Sequence, residues 1–512
     1  MITNHNWRVY QMTNIPFTIE ETTVTEIHEA IKKNGLTSVE LVDSYLKRIE
    51  EYDKEVRAVV TINPKAGKEA AELDTYYRKT GKMKGPLHGI PVLVKDQAET
   101  AGIPTSFGSE AFKHYIPEVD ATVVEKLREA GAVILAKTNL CDFAAGWFSF
   151  SSVNGQTRNA YDPNRDAGGS SAGTGAGVAL NFGTIGIGED TGGSARIPAS
   201  FNNLFGLRPT IGLISRFGFS PLVHFQDTPG PITRTVRDMA KLMDVLVGYD
   251  PKDEFTTAAT LTKHVGQYEA LLEESTLKGR RIGILRQVFG SNEDMDSYPV
   301  NQVVEEAIKK LKEAGVEFID EITIPNLEQY LEETSLYTLQ SKKDITNFLS
   351  NRVRTPLKSL DEVYDHKAFH PLNDLFHDIV NAPNDPTEAE SYYRQRWAQE
   401  EFKQEVLNVM AMHQLDAILY PDVKILPPTY QDLEDEKWTC LTFPTNTVIA
   451  SQTKLPAISI PGGFTPEGIP VGFELLSKPF SEVELLQIAY GYEQIAQPRR
   501  EPSTLNGDLE SV

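Results

Sequence analysis

The sequence predicts an α/β fold built on a largely parallel sheet, and three observations carry this reading. The run IPVLV inside GPLHGIPVLVKD (85–96) is short, apolar and rich in β-branched residues, as a buried strand is. TVVEKLREAGAVILAKTN (122–139) reads as helix, glycine turn and strand. The same pattern recurs when the strand-like KGRRIGIL is followed by VNQVVEEAIKKLKEAGVEFIDEI (300–322), a helix and then a strand. Strands that alternate with helices are joined by crossovers, and crossovers lay them parallel.

Taken in chain order, residues 1–23 read as an N-terminal arm. VTEIHEAIKKNG (24–35) reads as a helix stopped by Asn34-Gly35. Thr37 and Glu40 then have capping-box spacing before the amphipathic LVDSYLKRIEEY. The strand at 85–96 ends in Lys95-Asp96. After the helix-strand units, residues 325–410 turn charged and aromatic with few β runs. They read as a mainly helical insertion shaping the substrate entrance. LDAILYP (415–421) and LPAISIPGGF (455–464) return to the buried-strand pattern, and SEVELLQIAYGYEQIA (481–496) is a closing helix. Residues 497–512 read as a loose tail. No internal repeat or low-complexity tract interrupts the chain.

Composition excludes several function classes. Of 512 residues, 40% are hydrophobic and 24% charged, near the globular norm. Fifty Lys and Arg stand against 72 Asp and Glu, a formal net charge of −22. A nucleic-acid or anionic-membrane partner would want a basic stripe instead. The two cysteines, Cys141 and Cys440, form no CxxC pair and no disulfide framework. They fit a reducing compartment, so a cytoplasmic protein is expected. MITNHNWRVYQMTNIPF lacks the basic-then-apolar order of a signal peptide. No run approaches the length of a transmembrane helix. HExxH is absent, so no metal is expected, and no cofactor motif is present.

The segment DAGGSSAGTGAGVALNFGTIGIGEDTGGSAR (166–196) needs a special explanation. A flexible linker would be polar, whereas Val178, Leu180, Phe182, Ile185 and Ile187 interleave with the glycines. A nucleotide cradle is disfavoured because neither GxxxxGK[ST] nor a complete GxGxxG occurs. Gly169-Ser170-Ser171-Ala172-Gly173 fits the GxSxG elbow of α/β-hydrolases, with Ser171 as nucleophile. The turn-rich NAYDPNRDAG before it is not the apolar strand that elbow needs. In GEDTGGS, glycines let successive N–H groups turn the same way, so Thr191, Gly192 and Gly193 form a candidate oxyanion hole beside Ser194. A tight turn relieved by glycine is the plainer reading of the same residues. No histidine is tied to this segment by a motif. Lys95, at the end of a buried strand, is the candidate base, because burial disfavours a charged ammonium.

Three blocks together resemble the amidase signature family: GIPVLVKD with Lys95, GGSSAGTGAG with Ser170, and GEDTGGSARIPASFNNLFGLRPT with Ser194. They occur in family order, 75 and 24 residues apart. The resemblance covers residues 24–250 well and 411–496 more weakly. It implies a single α/β domain over 24–496, with a large mixed, mostly parallel sheet covered by helices on both faces. It also implies a Ser-Ser-Lys relay, in which neutral Lys95 takes a proton from Ser170 and Ser170 takes one from the nucleophile Ser194. The Gly169–Ser170 peptide would be cis. Ser171, Asp190 and Arg196 would brace the loops. Ala172, Thr174 and Arg208 depart from the commoner family residues without touching the relay.

The activity implied is hydrolysis of the C–N bond of a linear carboxylic amide through an acyl-enzyme. Aryl amides, carbamates and esters lie within reach of the same chemistry. A small-molecule substrate is the expected partner, with a homodimer left open. Phe143, Ala144, Trp147 and Phe148, within CDFAAGWFSF, are candidates for the substrate pocket, against the usual burial of such residues as core. Three alternatives stay open: the amidase subunit of a tRNA-dependent amidotransferase, an α/β-hydrolase using Ser171, and a non-catalytic binding protein on the same scaffold. SRFGFSPLVHFQDTPGPITRT (215–235) resembles the stand-alone amidases more closely.

Overall fold

The computed structural model describes residues 17–503. Residues 1–16 of the expected arm and 504–512 of the expected tail lie outside them. The first two helices, Val24–Lys32 and Ser38–Val56, both start at a threonine capping box. At the second, Thr37 Oγ1 accepts from the Glu40 N–H at 3.2 Å and Glu40 Oε2 accepts from the Thr37 N–H at 2.8 Å. Two otherwise orphaned donors are satisfied by this exchange.

The described residues form one eleven-stranded sheet. Its strands are β1 (Val59–Ile62), β2 (Pro91–Lys95), β3 (Val133–Thr138), β4 (Ile185–Asp190), β5 (Phe205–Arg208), β6 (Thr228–Thr233), β7 (Arg281–Ile284), β8 (Glu317–Ile319), β9 (Ala417–Pro421), β10 (Ala457–Phe464) and β11 (Pro470–Leu476). Their order is β1-β3-β2-β4-β6-β5-β10-β11-β9-β7-β8. The sheet is mixed, as expected, but parallel pairs do not predominate. Parallel pairing is confined to β3-β2-β4 on one flank and β9-β7-β8 on the other. The centre, from β4 through β6, β5, β10 and β11 to β9, is antiparallel. The reason is connection length. β10 and β11 are joined by residues 465–469 alone, a hairpin too short for the helical crossover that a parallel pair requires. Strands β2, β3, β4, β6, β9 and β11 are buried along their whole length, which a sheet covered on both faces requires.

Residues 327–412 form the α-helices Leu327–Glu333, Tyr337–Ser350, Leu360–Asp365, Asp374–Asn381 and Tyr392–Met412. Side chains from several of them join Phe107, Phe112, Phe143 and Phe148 in a second, aromatic-rich core. The described part of the tail is anchored rather than loose. Arg499 donates to Glu21 Oε1 and Oε2 at 2.7 and 2.8 Å and to Ala179 O at 2.7 Å, which ties it to the described end of the arm. No helix among the described residues is long and apolar enough to cross a membrane.

The site is placed by the pairing of β2 with β4. They are parallel neighbours with Val94 opposite Ile187, so their carboxyl ends, Lys95 and Asp190, emerge on the same edge of the sheet. Crevices outside strand carboxyl ends are where open α/β sheets bind ligands. Between them in sequence runs the wholly buried helix Ala172–Ala179. Its glycines permit close approach: a Cβ on Gly173 would lie 2.2 Å from Ala58 O.

Thr37→Ala removes one half of the second capping box. It is expected to cost about 1 kcal/mol, read as a lower urea midpoint with an unchanged slope.

Candidate active site

Lys95 is the last residue of β2 and is fully buried. Its Nζ donates to Ser170 Oγ at 2.8 Å and to Glu189 O at 3.3 Å, and lies 3.6 Å from Glu189 Oε2. Burial pushes the Lys95 ammonium down from its ordinary value, while the Glu189 carboxylate opposes that shift. Burial in turn pushes Glu189 up, reinforced by Asp227 and opposed by Lys95. The Gly169–Ser170 peptide is cis. Ser170 is wholly buried, and Lys95 is the hydrogen-bond partner of its hydroxyl.

Ser171 is committed to bracing. Its N–H donates to Ser194 O at 3.1 Å. Its Oγ lies 3.3 Å from both the N–H and the C=O of Glu189. A hydroxyl held this way, preceded by no strand, does not present a nucleophile elbow.

Ser194 follows β4 by four residues, in the turn that leads to the helix Arg196–Phe201. Among the described residues its hydroxyl has no hydrogen-bond partner. The structure therefore closes the Lys95–Ser170 half of the expected relay and leaves the Ser170–Ser194 half open. Such bonds commonly tighten only when substrate is bound.

Asp190 organises the turn. Its carboxylate accepts from Gly193 N–H at 3.0 Å and Ala195 N–H at 3.2 Å. Arg196 adds bonds at 2.9 and 3.1 Å, and Arg208 one at 3.0 Å. Burial alone would raise the Asp190 pKa, but the two guanidinium groups overcome it and hold the carboxyl well below the usual range. Arg196 also donates to Glu474 Oε1 and Oε2 at 2.7 and 2.6 Å, and to Ser451 Oγ at 2.8 Å. Tyr420 OH caps Glu474 at 2.7 Å.

The expected donor trio of Thr191, Gly192 and Gly193 changes at its third member. The Gly193 N–H is committed to Asp190, whereas those of Thr191, Gly192 and Ser194 have no acceptor among the described residues. The conformation does require glycine at 193: φ is +121°, and a Cβ there would lie 2.0 Å from Thr447 Oγ1. Gly192 O is held from two sides, by Trp147 Nε1 at 2.9 Å and Thr447 Oγ1 at 2.8 Å.

The pocket candidates are not brought together. Phe143 packs against Phe107, Phe112 and Phe376, and Phe148 against Phe150 and Phe443. Ala144 is buried beside them. These three are core. Of the four, only Trp147 reaches the 190–195 turn, through Gly192 O. A cavity of about 310 Å³ lies instead against Glu189 and Asp227, walled by the 216–221 loop and by the Tyr337–Ser350 helix. Thr191 Oγ1 connects that wall to the turn through bonds of 2.5 Å to Asp227 and 3.2 Å to Glu189. Glu189, Asp227, Glu474, Thr447 and Trp147 Nε1 are contacts that motif reading does not supply, because they come from separate parts of the chain. Of these five, Glu189 alone lies within one of the three family-like blocks. No group of three or more His, Cys, Asp or Glu residues suited to a metal occurs among the described residues.

A family model described as Amidase matches residues 40–486. The chain is 33% identical over 500 residues to a glutamyl-tRNA(Gln) amidotransferase subunit of Alkaliphilus metalliredigens, covering 93% of this chain and 96% of that protein. The peptide amidase of Stenotrophomonas maltophilia superposes with a TM-score of 0.82 at 33% identity, covering 95% of this chain and 99% of the other. The corresponding glutamyl-tRNA(Gln) amidotransferase subunit of Thermotoga maritima superposes with a TM-score of 0.72 at 27% identity, covering 93% and 95%.

Arg196→Ala would leave buried Glu474 without a cation and Asp190 with Arg208 alone. The expected loss is about 3–5 kcal/mol, seen as a lowered unfolding midpoint or insoluble expression. Arg196→Lys, which keeps the charge but not the fork, should fall between the two.

Proposed function

The chain belongs to the amidase signature family, and from that premise we propose that it hydrolyses the C–N bond of a carboxylic amide through an acyl-enzyme on Ser194. The observation that carries this reading is the 2.8 Å bond from a fully buried Lys95 Nζ to Ser170 Oγ, beside a Ser194 hydroxyl with no partner among the described residues. A desolvated lysine is neutral more readily than an exposed one, and a neutral amine is a base.

Neutral Lys95 accepts the Ser170 proton as Ser170 accepts that of Ser194, and Ser194 Oγ bonds to the amide carbon. The carbonyl oxygen becomes an alkoxide facing the N–H groups of Thr191, Gly192 and Ser194. These donors are already oriented by Asp190, Trp147 and Thr447, so little reorganisation accompanies charge development. The C–N bond breaks as the proton returns from Lys95 through Ser170 to the departing nitrogen. Water then repeats the sequence in place of Ser194 and releases the carboxylic acid.

A stand-alone enzyme on small amides is the favoured form. The peptide amidase superposes more closely than the amidotransferase subunit, with TM-scores of 0.82 and 0.72. The second reading, as part of an amidotransferase, is favoured by the identity to the Alkaliphilus protein, 33% over 93% of this chain. Purified chain incubated with primary amides, anilides and carbamates separates the two. Ammonia or amine release without a partner supports the first. Release that requires glutamine and partner subunits supports the second.

Ser194→Ala should lower kcat by about 10⁴-fold or more while the fold survives, and Lys95→Ala should come close to it. Substantial turnover by Ser194→Ala would overturn the assignment. The pH profile follows from Lys95. Its lowered pKa leaves the base neutral at high pH, and protonation removes the base as pH falls through that value. The log of kcat/KM should therefore fall with unit slope on the acid side. A flat acid limb would remove Lys95 from the base role.

A further inference from the structure

The cavity beside Glu189 has an unbalanced charge. Its three fixed cations are all claimed by carboxylates. Arg216 pairs with Asp253 at 2.5 Å, Arg352 with Glu99 at 2.9 Å, and Lys252 with Glu125 at 2.7 Å. Asp227 and Asp344 have no such partner among the described residues. Asp227 accepts from Thr191 Oγ1 and from the N–H groups of Leu222 and Val223, the latter two at 3.0 Å. Asp344 accepts from His224 N–H and Gln340 Nε2, both at 2.8 Å. Glu189 faces Lys95, but Lys95 must be neutral to act as base, and Glu189 is then a third carboxylate without a cation.

Among the described residues, two buried polar atoms on the cavity wall have no hydrogen-bond partner: Glu189 Oε2, on a residue 1% exposed and 3.6 Å from Lys95 Nζ, and Ser220 Oγ, on a residue 0% exposed. Both accept hydrogen bonds, and leaving them unmet is costly. The common requirement of these groups is a positively charged hydrogen-bond donor. Burial, with Asp227 nearby, pushes Asp344 up to about 6, as expected of a carboxylate that lacks a counter-ion.

We propose that this cavity holds the cationic end of the substrate, an alkylammonium or guanidinium group, on Glu189, Asp227, Asp344 and Ser220. The site would make the enzyme selective for amides that also carry a basic group. The assignment to substrate rests on the amidase reading above; the assignment of a cation site does not. An organic cation bound here would also draw Glu189 away from Lys95 and favour the neutral lysine, since like charges nearby disfavour protonation.

The test uses the full chain in two arms. In the first, phenethylammonium and its uncharged match 2-phenylethanol are titrated calorimetrically into the Ser194→Ala protein. The ammonium should bind at least tenfold tighter, and adding Asp344→Asn or Ser220→Ala should weaken it several-fold. Equal affinities, or no ammonium binding, overturn the cation site. In the second arm, wild-type kcat/KM is compared for 6-aminohexanamide and hexanamide. The cationic amide should be preferred at least tenfold, and Asp344→Asn should erase most of that ratio. No preference overturns the substrate assignment. So does stimulation of hexanamide hydrolysis by free phenethylammonium without a preference, which would make the cation a separate amine. If neither amide is cleaved, the stand-alone amidase reading fails, and the calorimetric arm still decides the cation site.

Discussion

Asp190 accepts hydrogen bonds from two backbone N–H groups and two guanidinium groups, and each bond removes freedom from the turn that carries Ser194. The carboxylate sits where β4 ends, so its position is set by the sheet. Gly193 and Ala195 are drawn toward it, which leaves the N–H groups of Thr191, Gly192 and Ser194 without acceptors. A nest of unpaired donors is costly unless something holds it open. Here Arg196, locked between Asp190 and Glu474, ties the turn to β11 as well as β4. The charged pairs are themselves expensive to bury, and their value lies in geometry more than in net stability.

Lys95 is under opposing demands. Burial favours its neutral form, and the Glu189 carboxylate at 3.6 Å favours the charged one. A base needs the first, and the second opposes it. Lys95 donates to Ser170 and not to Ser194. In the proposed relay, a serine between Lys95 and Ser194 would let the base stay buried behind the sheet edge.

The strand ending in Lys95 is legible because IPVLV is apolar and β-branched, and the capping box at Thr37 because its spacing is local. β4 and β6 are not legible as strands. TIGIGED is diluted by glycine, and TPGPIT carries Pro229 and Pro231, residues that usually argue against an interior strand. The antiparallel pairing begins between these two strands, which is why the flanks alone suggest a parallel sheet. Serine and lysine positions can be read from motifs, because the chemistry fixes residue type and order. The pocket cannot. Phe143 and Phe148 carry the aromatic signal but face other rings, whereas Asp227 and Asp344, far apart in sequence, meet only in the fold. The commitment of the Gly193 N–H is likewise hidden, since nothing in GEDTGGS says which glycine faces the aspartate.

Glu189 joins these two levels of the structure. Its backbone oxygen accepts from Lys95 Nζ, its carboxylate faces the same nitrogen, and its side chain forms part of the cavity wall. Thr191 Oγ1, one step before Gly192, bridges Glu189 to Asp227 on that wall. Charge placed in the cavity is therefore felt at the base and at the turn together. Neutral occupants leave Glu189 to attract a proton onto Lys95. Cationic ones compete for Glu189 and repel that proton. In the proposed mechanism, selectivity and basicity would be coupled through the Glu189 carboxylate, so a change at residue 189 should alter both.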